Sequence, residues 1–192
     1  MNESVTHDAM LYIRKLFAAN ADGHDAEHSL RVYRNAVLIA EAYPEADMTV
    51  ISLSALLHDA DDHKLFQTKH NENARWFLES KGISPEMIER ICEVINSVSF
   101  SKNKGSRPGT LEGEIVQDAD RLDAIGAVGI ARTFAYGGSH GRTLASSIQH
   151  FYDKLLLLRD LLNTEKAKEI AQSRHVFMEQ FLAQYQSESD YE

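Results

Sequence analysis

Apolar residues recur at three- and four-residue spacing along nearly the whole chain, and no segment alternates apolar with polar residues over the length of a strand. That pattern confines the chain to an all-α architecture. Only 3 prolines occur in 192 residues, so little interrupts the periodic stretches, which Ala, Leu, Glu and Ile dominate. With 43% hydrophobic residues the chain can bury one sizeable core. A single domain over residues 1–192 is expected, with its core at about 20–185 and a frayed tail at 186–192.

The first helix is expected over 5–19, broken by the Asn-Ala-Asp-Gly run at 20–23. A second starts near His24 or Asp25, buries Leu30, Val32, Ala36, Val37, Ile39 and Ala40, and ends at Pro44. Asp47 or Thr49 caps a third through Leu57. A fourth covers about 70–81 and stops at Lys81-Gly82. Ser84-Pro85 opens a fifth, through about Val98, with a serine cap and proline in the first helical position. The stretch 99–109 is polar and aperiodic and reads as a loop. Helix resumes from Thr110 to about Ile125 and again through Tyr136, and Gly137-Gly138-Ser139-His140-Gly141 reads as a second loop. Two long amphipathic helices, 146–162 and 164–185, complete the chain and could support a homodimer.

Composition excludes several function classes. Lys and Arg number 20 against 29 Asp and Glu, a net charge of −9, and no basic stripe compensates, so nucleic acid is not an expected partner. No apolar run approaches the roughly 20 residues that span a bilayer, and no membrane partner is expected. No secretory signal is visible at the N-terminus, and the lone Cys92 fits a reducing cytoplasm as a small core residue.

Four polar residues interrupt the apolar helical pattern: His28 in AEHSLRV, the doublet His58-Asp59 in SALLHDADD, and Asp120 in VQDADRL. Imidazole nitrogens with carboxylate oxygens suit a divalent transition metal such as Mn, Fe, Co, Ni or Zn. An ion held by few protein ligands keeps positions open for water and a phosphate oxygen. Read singly, each residue has a plainer explanation. His58 can cap a helix C-terminus, His28 can be an interfacial histidine, and Asp120 is one of three aspartates in QDADRLD. The doublet is harder to dismiss, because the helix dipole disfavours a carboxylate at that end unless a cation compensates. Adjacent helical residues also diverge by ~100°, so both reach one ion only near a helix end.

The H…HD…D pattern resembles the HD-domain phosphohydrolases, an all-α superfamily of metal-dependent phosphomonoesterases, phosphodiesterases and nucleotide hydrolases. GHDAEHSLRV, SALLHDADDHK, LEGEIVQDADRLDAIGAVGIARTFAYGG and IQHFYDKLLLLRDLLNTEKAKEIA are similar to its small single-domain bacterial branch, over most of residues 20–185. The resemblance implies a helical bundle of HD type with His28, His58, Asp59 and Asp120 as ligands of a divalent ion. Mn is the first choice, with Mg, Fe, Co, Ni or Zn as alternatives. Asp118 competes for the last position, and the ADRL segment favours Asp120. The implied substrate is a small phosphate ester, a nucleotide, and the favoured reaction converts a (deoxy)nucleoside triphosphate to monophosphate and pyrophosphate. The alternatives are a 5′-nucleotidase or other small phosphomonoesterase, and a non-catalytic nucleotide- or metal-binding sensor. The acidic pair that follows the doublet in alarmone hydrolases would fall at Asp62 and His63, so only half of it is present. Val98 also stands where relatives often carry a histidine.

Asp62, four residues past His58, shares its face if the helix continues and is the candidate proton acceptor; the alternative is a solvated acid in the DADD turn. His150 and Lys154 lie one turn apart beside Phe151 and Leu155, and are candidate phosphate contacts; a snorkelling lysine is the alternative. Arg31 and Lys64 are further candidates for phosphate. His24 and Asp25 orient His28 or cap its helix. Arg121 and Asp123 form a local ion pair, Trp76 and Phe77 belong to the core, and His140 lies in a glycine loop.

Overall fold

The computed structural model describes residues 2–18, 26–63, 65–98 and 106–189. Every regular element among them is helical: α1 (Asn2–Leu16), α2 (Ala26–Ala40), α3 (Met48–Leu57), α4 (Glu72–Ser80), α5 (Pro85–Val98), α6 (Leu111–Asp123), α7 (Gly126–Ser139), α8 (Leu144–Asp153), a 3-10 helix (Leu155–Leu161) and α9 (Glu165–Ser189). The expected all-α class is what the chain adopts. The described residues fall into two compact units, Met1–Asp120 and Arg121–Glu192. No described helix is long and apolar enough to cross a membrane.

In the first unit, α3 is the centre. Its residues Val50 through Leu57 are all buried, serines included, because α1, α2 and α5 cover it from separate sides. The Asp47 side chain starts it, accepting from Thr49 N at 3.0 Å and Val50 N at 3.3 Å. Ser84 caps α5 through the Met87 amide, as Ser-Pro predicts. Gln117 on α6, itself buried, donates to the carbonyls of Ser97 and Ser106. The loop expected at 99–109 falls largely outside the described residues.

In the second unit, α9 packs against α7 and the 3-10 helix, and α7 against α8. Phe134, Phe151 and Phe181 form its aromatic core, with ring centroids 5.9–6.1 Å apart. Three expectations change here. The helix expected over 146–162 breaks at Lys154, whose φ of −142° is not helical. Beyond it the run of leucines tightens to three residues per turn, burying Leu155 and Leu158 on one side. The loop expected from Gly137 is instead the last turn of α7. A side-chain methyl at Gly137 would come 2.5 Å from Ser147 Oγ, so this glycine allows helices to approach, and the chain turns at Gly141, φ +66°. Finally, residues 186–189 of the expected frayed tail continue α9. Gln184 donates to Glu188 one turn on, and Ser187 to the Gln184 carbonyl.

Candidate metal centre

The first unit brings His28, His58 and Asp120 together, with one ligand-type atom from each inside a 4.8 Å span. Three helices supply them. His28 stands in the first turn of α2, His58 is the residue that ends α3, and Asp120 lies near the end of α6. The Nε2 atoms of the two histidines are 3.2 Å apart, with the rings edge to face. His28 Nε2 is 3.4 Å from Asp120 Oδ1 and 3.5 Å from Asp59 Oδ2. His58 Nε2 is 3.5 Å from Asp59 Oδ2 and 4.0 Å from Asp120 Oδ1.

These separations fit a shared ion. Two atoms each ~2.1 Å from one metal at 90–110° are roughly 3.0–3.4 Å apart. The 3.2 and 3.4 Å spacings fall there, the two at 3.5 Å lie just beyond, and the 4.0 Å spacing is longer. The tautomer fits too. His58 Nδ1 lies 2.9 Å from the Ala55 carbonyl, which can only accept, so Nδ1 carries the proton and Nε2 turns a lone pair inward. Metal-binding histidines make this kind of outer hydrogen bond. Burial opposes ionisation of Asp120. The hydrogen bond with His28 and the electrostatic pull of the two neighbouring imidazoles overcome it and hold the carboxyl below its ordinary range. The histidine side chains are 4% exposed, Asp59 15% and Asp120 30%, so nitrogens form the floor and oxygens the rim.

Asp118 is fully buried, and it is Asp120 that meets the histidines. The helical premise for Asp62 does not hold. α3 ends at Leu57, and residues 58–61 form turns in which the Asp62 amide bonds the Asp59 carbonyl at 3.1 Å. Asp62 is largely buried, 3.6 Å from His63, and its carbonyl receives the Leu65 and Phe66 amides. Arg31 follows His28 by three residues on α2. Lys64, His24 and Asp25 lie outside the described residues. His150 and Lys154 occur in the second unit, at the last turn and end of α8. Burial, Lys154 and Arg142 push the His150 imidazole below its ordinary value, so it is a neutral hydrogen-bonding group at neutral pH.

Other expectations are corrected by the packing. Trp76 is 63% exposed and only leans on Tyr12, whereas Phe77 is core. Beyond the local pair expected of them, Asp123 also pairs with Arg132 on α7 and Arg121 also donates to the Leu161 carbonyl. His140 stacks on Tyr136. Sequence reasoning missed Asn35, whose Nδ2 donates to the Ala119 carbonyl at 3.2 Å and ties α2 to the residue before Asp120. Its signal was present: Asn35 lies two turns after His28, a polar residue beside buried Val32, Ala36 and Ile39.

The HD domain family model matches residues 25–125, which contain all four cluster residues. The chain belongs to the HD domain family and is a metal-dependent phosphohydrolase. It is 38% identical over 186 residues to the uncharacterized protein YpgQ of Bacillus subtilis, covering 92% of this chain and 90% of that one. The crystal structure of Bacillus subtilis YpgQ in complex with ADP is similar at a TM-score of 0.82 with 37% identity, over 96% of this chain and 97% of the other. An HD-superfamily hydrolase from Bacillus thuringiensis is similar at a TM-score of 0.81 with 35% identity, over 98% of each chain.

Proposed function

We propose that this hydrolase acts on nucleotides, cleaving a (deoxy)nucleoside triphosphate to monophosphate and pyrophosphate, with His28, His58, Asp59 and Asp120 holding a divalent ion, Mn first. The observation that carries the metal assignment is the meeting of two buried imidazole nitrogens and a carboxylate, with His58 locked in the ligating tautomer. The similarity to a protein crystallised with ADP supports a nucleotide as the ligand.

A bound divalent ion supplies Lewis acidity: it acidifies water and polarises a phosphoryl oxygen. The protein residues do the rest. Asp59 and Asp120, at the rim, orient the nucleophilic side of the site. Asp62, held next to Asp59 by the turn rather than by a shared helix face, is proposed to accept the proton released as water attacks phosphorus. Arg31, Lys64 and Lys154 are the cations proposed to neutralise the phosphate charge that grows on the leaving group. His150 contributes by donating a hydrogen bond in its neutral form. The chain's surplus of acidic residues makes such local cations necessary for an anionic substrate.

The test is product analysis with a panel of nucleoside tri-, di- and monophosphates and purified protein loaded with Mn, Co, Ni or Mg. Pyrophosphate and monophosphate from a triphosphate, lost in Asp59→Ala, are expected. Free phosphate from monophosphates would replace this reading with a nucleotidase. Bound metal with no product from any ester would replace it with a sensor.

A further inference from the structure

The doublet His58-Asp59 follows the last residue of α3, and both side chains reach the same cluster. His58 keeps helical dihedrals (φ −58°, ψ −32°), so the two side chains leave the chain ~100° apart and meet at one cluster because the helix stops here and the turn at 58–61 carries Asp59. That turn is held from outside its own sequence. Asn73 Nδ2 on α4 donates to the carbonyl of Ala60 at 2.8 Å, and Ala60 is fully buried. In return the Asp61 carboxylate accepts the Asn73 amide at 2.9 Å and the Ala74 amide at 3.1 Å.

This exchange explains an anomaly at the start of α4. The residue in the cap position, Asn71, is left-handed (φ 59°) and makes no side-chain cap bond. Asp61, ten residues earlier, is the acceptor that the helix start needs, delivered from the metal turn. The support extends to α1, where the Tyr12 hydroxyl donates to the Asn73 carbonyl at 3.1 Å and the Tyr12 ring stacks on Phe77. α1 lies before the family-matched residues 25–125, so the buttress reaches beyond the family's own core.

We propose that Asp61 and Asn73 are positioning residues that clamp the turn after the doublet and set the geometry in which His58 and Asp59 bind a metal ion. The inference rests on the reading of the doublet as metal ligands. Loss of either partner frees the Ala60 carbonyl or the α4 amides, and the turn relaxes toward conformations in which the two side chains diverge.

The experiment titrates the full-length protein with Mn by calorimetry and with Co by visible absorption, whose d–d bands report coordination geometry. Asn73→Ala and Asp61→Ala are compared with Asp61→Asn, which keeps one acceptor. Arg75→Ala is the control: it removes the pair with Glu89 from the same helix without touching the turn. Circular dichroism confirms folding at the titration temperature. Affinity should fall ~10-fold or more in the two alanine variants, with altered cobalt bands, partial recovery in Asp61→Asn and wild-type binding in Arg75→Ala. Wild-type affinity and bands in Asn73→Ala and in Asp61→Asn would overturn the inference while leaving the metal assignment intact. An equal loss in Arg75→Ala would also overturn it, since α4 stability alone would then be responsible. Absence of binding to the wild-type protein, matched by His58→Ala, would overturn both.

Discussion

Asp120 and Asp123 stand three residues apart on α6, and each meets nitrogen, yet their surroundings give them opposite tasks. In the first unit Asp120 faces two imidazoles, one of them His58 with its Nε2 lone pair turned inward, and its own side chain keeps contact with solvent. In the second unit Asp123 is 2% exposed and faces Arg132, a permanent cation that already neutralises it; Arg174 adds to the field. Arg174 also donates to the Leu122 carbonyl, so its guanidinium fastens the end of α6 to α9. One carboxylate is left available for a ligand, and the other is consumed by structure. An aspartate's neighbours, imidazole or guanidinium, decide which it becomes.

The sharpest way to break that contrast is to remove a carboxylate from the cluster. Asp59→Ala is expected to lower turnover by roughly 10³-fold or more and to abolish stoichiometric Mn binding, while thermal unfolding of the metal-free protein stays nearly unchanged. Steady-state product assays with a calorimetric Mn titration check it. Arg132→Ala should do the reverse. It strands a buried carboxylate, and urea unfolding should show a loss of about 3 kcal/mol with metal affinity within twofold of wild type. If Arg132→Ala abolished metal binding, the two aspartates would not be separable.

Removing the ion is a gentler form of the first test. Metal that binds only the folded chain contributes about 2.7 kcal/mol at a free concentration 100 times its dissociation constant. Chelation should therefore lower the melting temperature of wild-type protein and leave Asp59→Ala unmoved in differential scanning calorimetry. The smallest effect concerns His150. Its folded-state pKa lies below the unfolded value of 6.5, because burial, Lys154 and Arg142 disfavour its charged form. The unfolded chain binds more protons between the two values, so this contribution is complete above pH 6.5 and is lost as pH falls through the folded pKa. Urea unfolding at a series of pH values should show that slope flattened in His150→Gln.

Much of this contrast was legible in the sequence. His28, the doublet and Asp120 interrupt apolar helices at their ends, and caps such as Asp47 and Ser84 announce themselves in the residues that follow. What escaped depends on partners distant in sequence. Asp61 looks like one more acid in DADD until Asn73 arrives 12 residues later, and Asn35 gains meaning only from a carbonyl 84 residues away. Gly137 and Gly138 carry the composition of a loop, but the close approach of Ser147 uses Gly137 inside a helix. The helix break at Lys154 is invisible in an apolar pattern that satisfies either three or four residues per turn. The end of α3 at Leu57 was legible, and with it the failure of the condition under which Asp62 would share the face of His58.

The graded exposure of the cluster, oxygen at the rim and nitrogen beneath, separates capture from retention. On the proposed assignment, an ion arriving from solvent meets Asp120 and Asp59 first, so these carboxylates govern how fast it is caught, and salt should slow that step. Departure requires release from two buried imidazoles, which sets the residence time. Hard ions such as Mg, which prefer oxygen and shed water reluctantly, would then engage only the rim, whereas ions with an appetite for nitrogen would stay long enough to turn over many substrates.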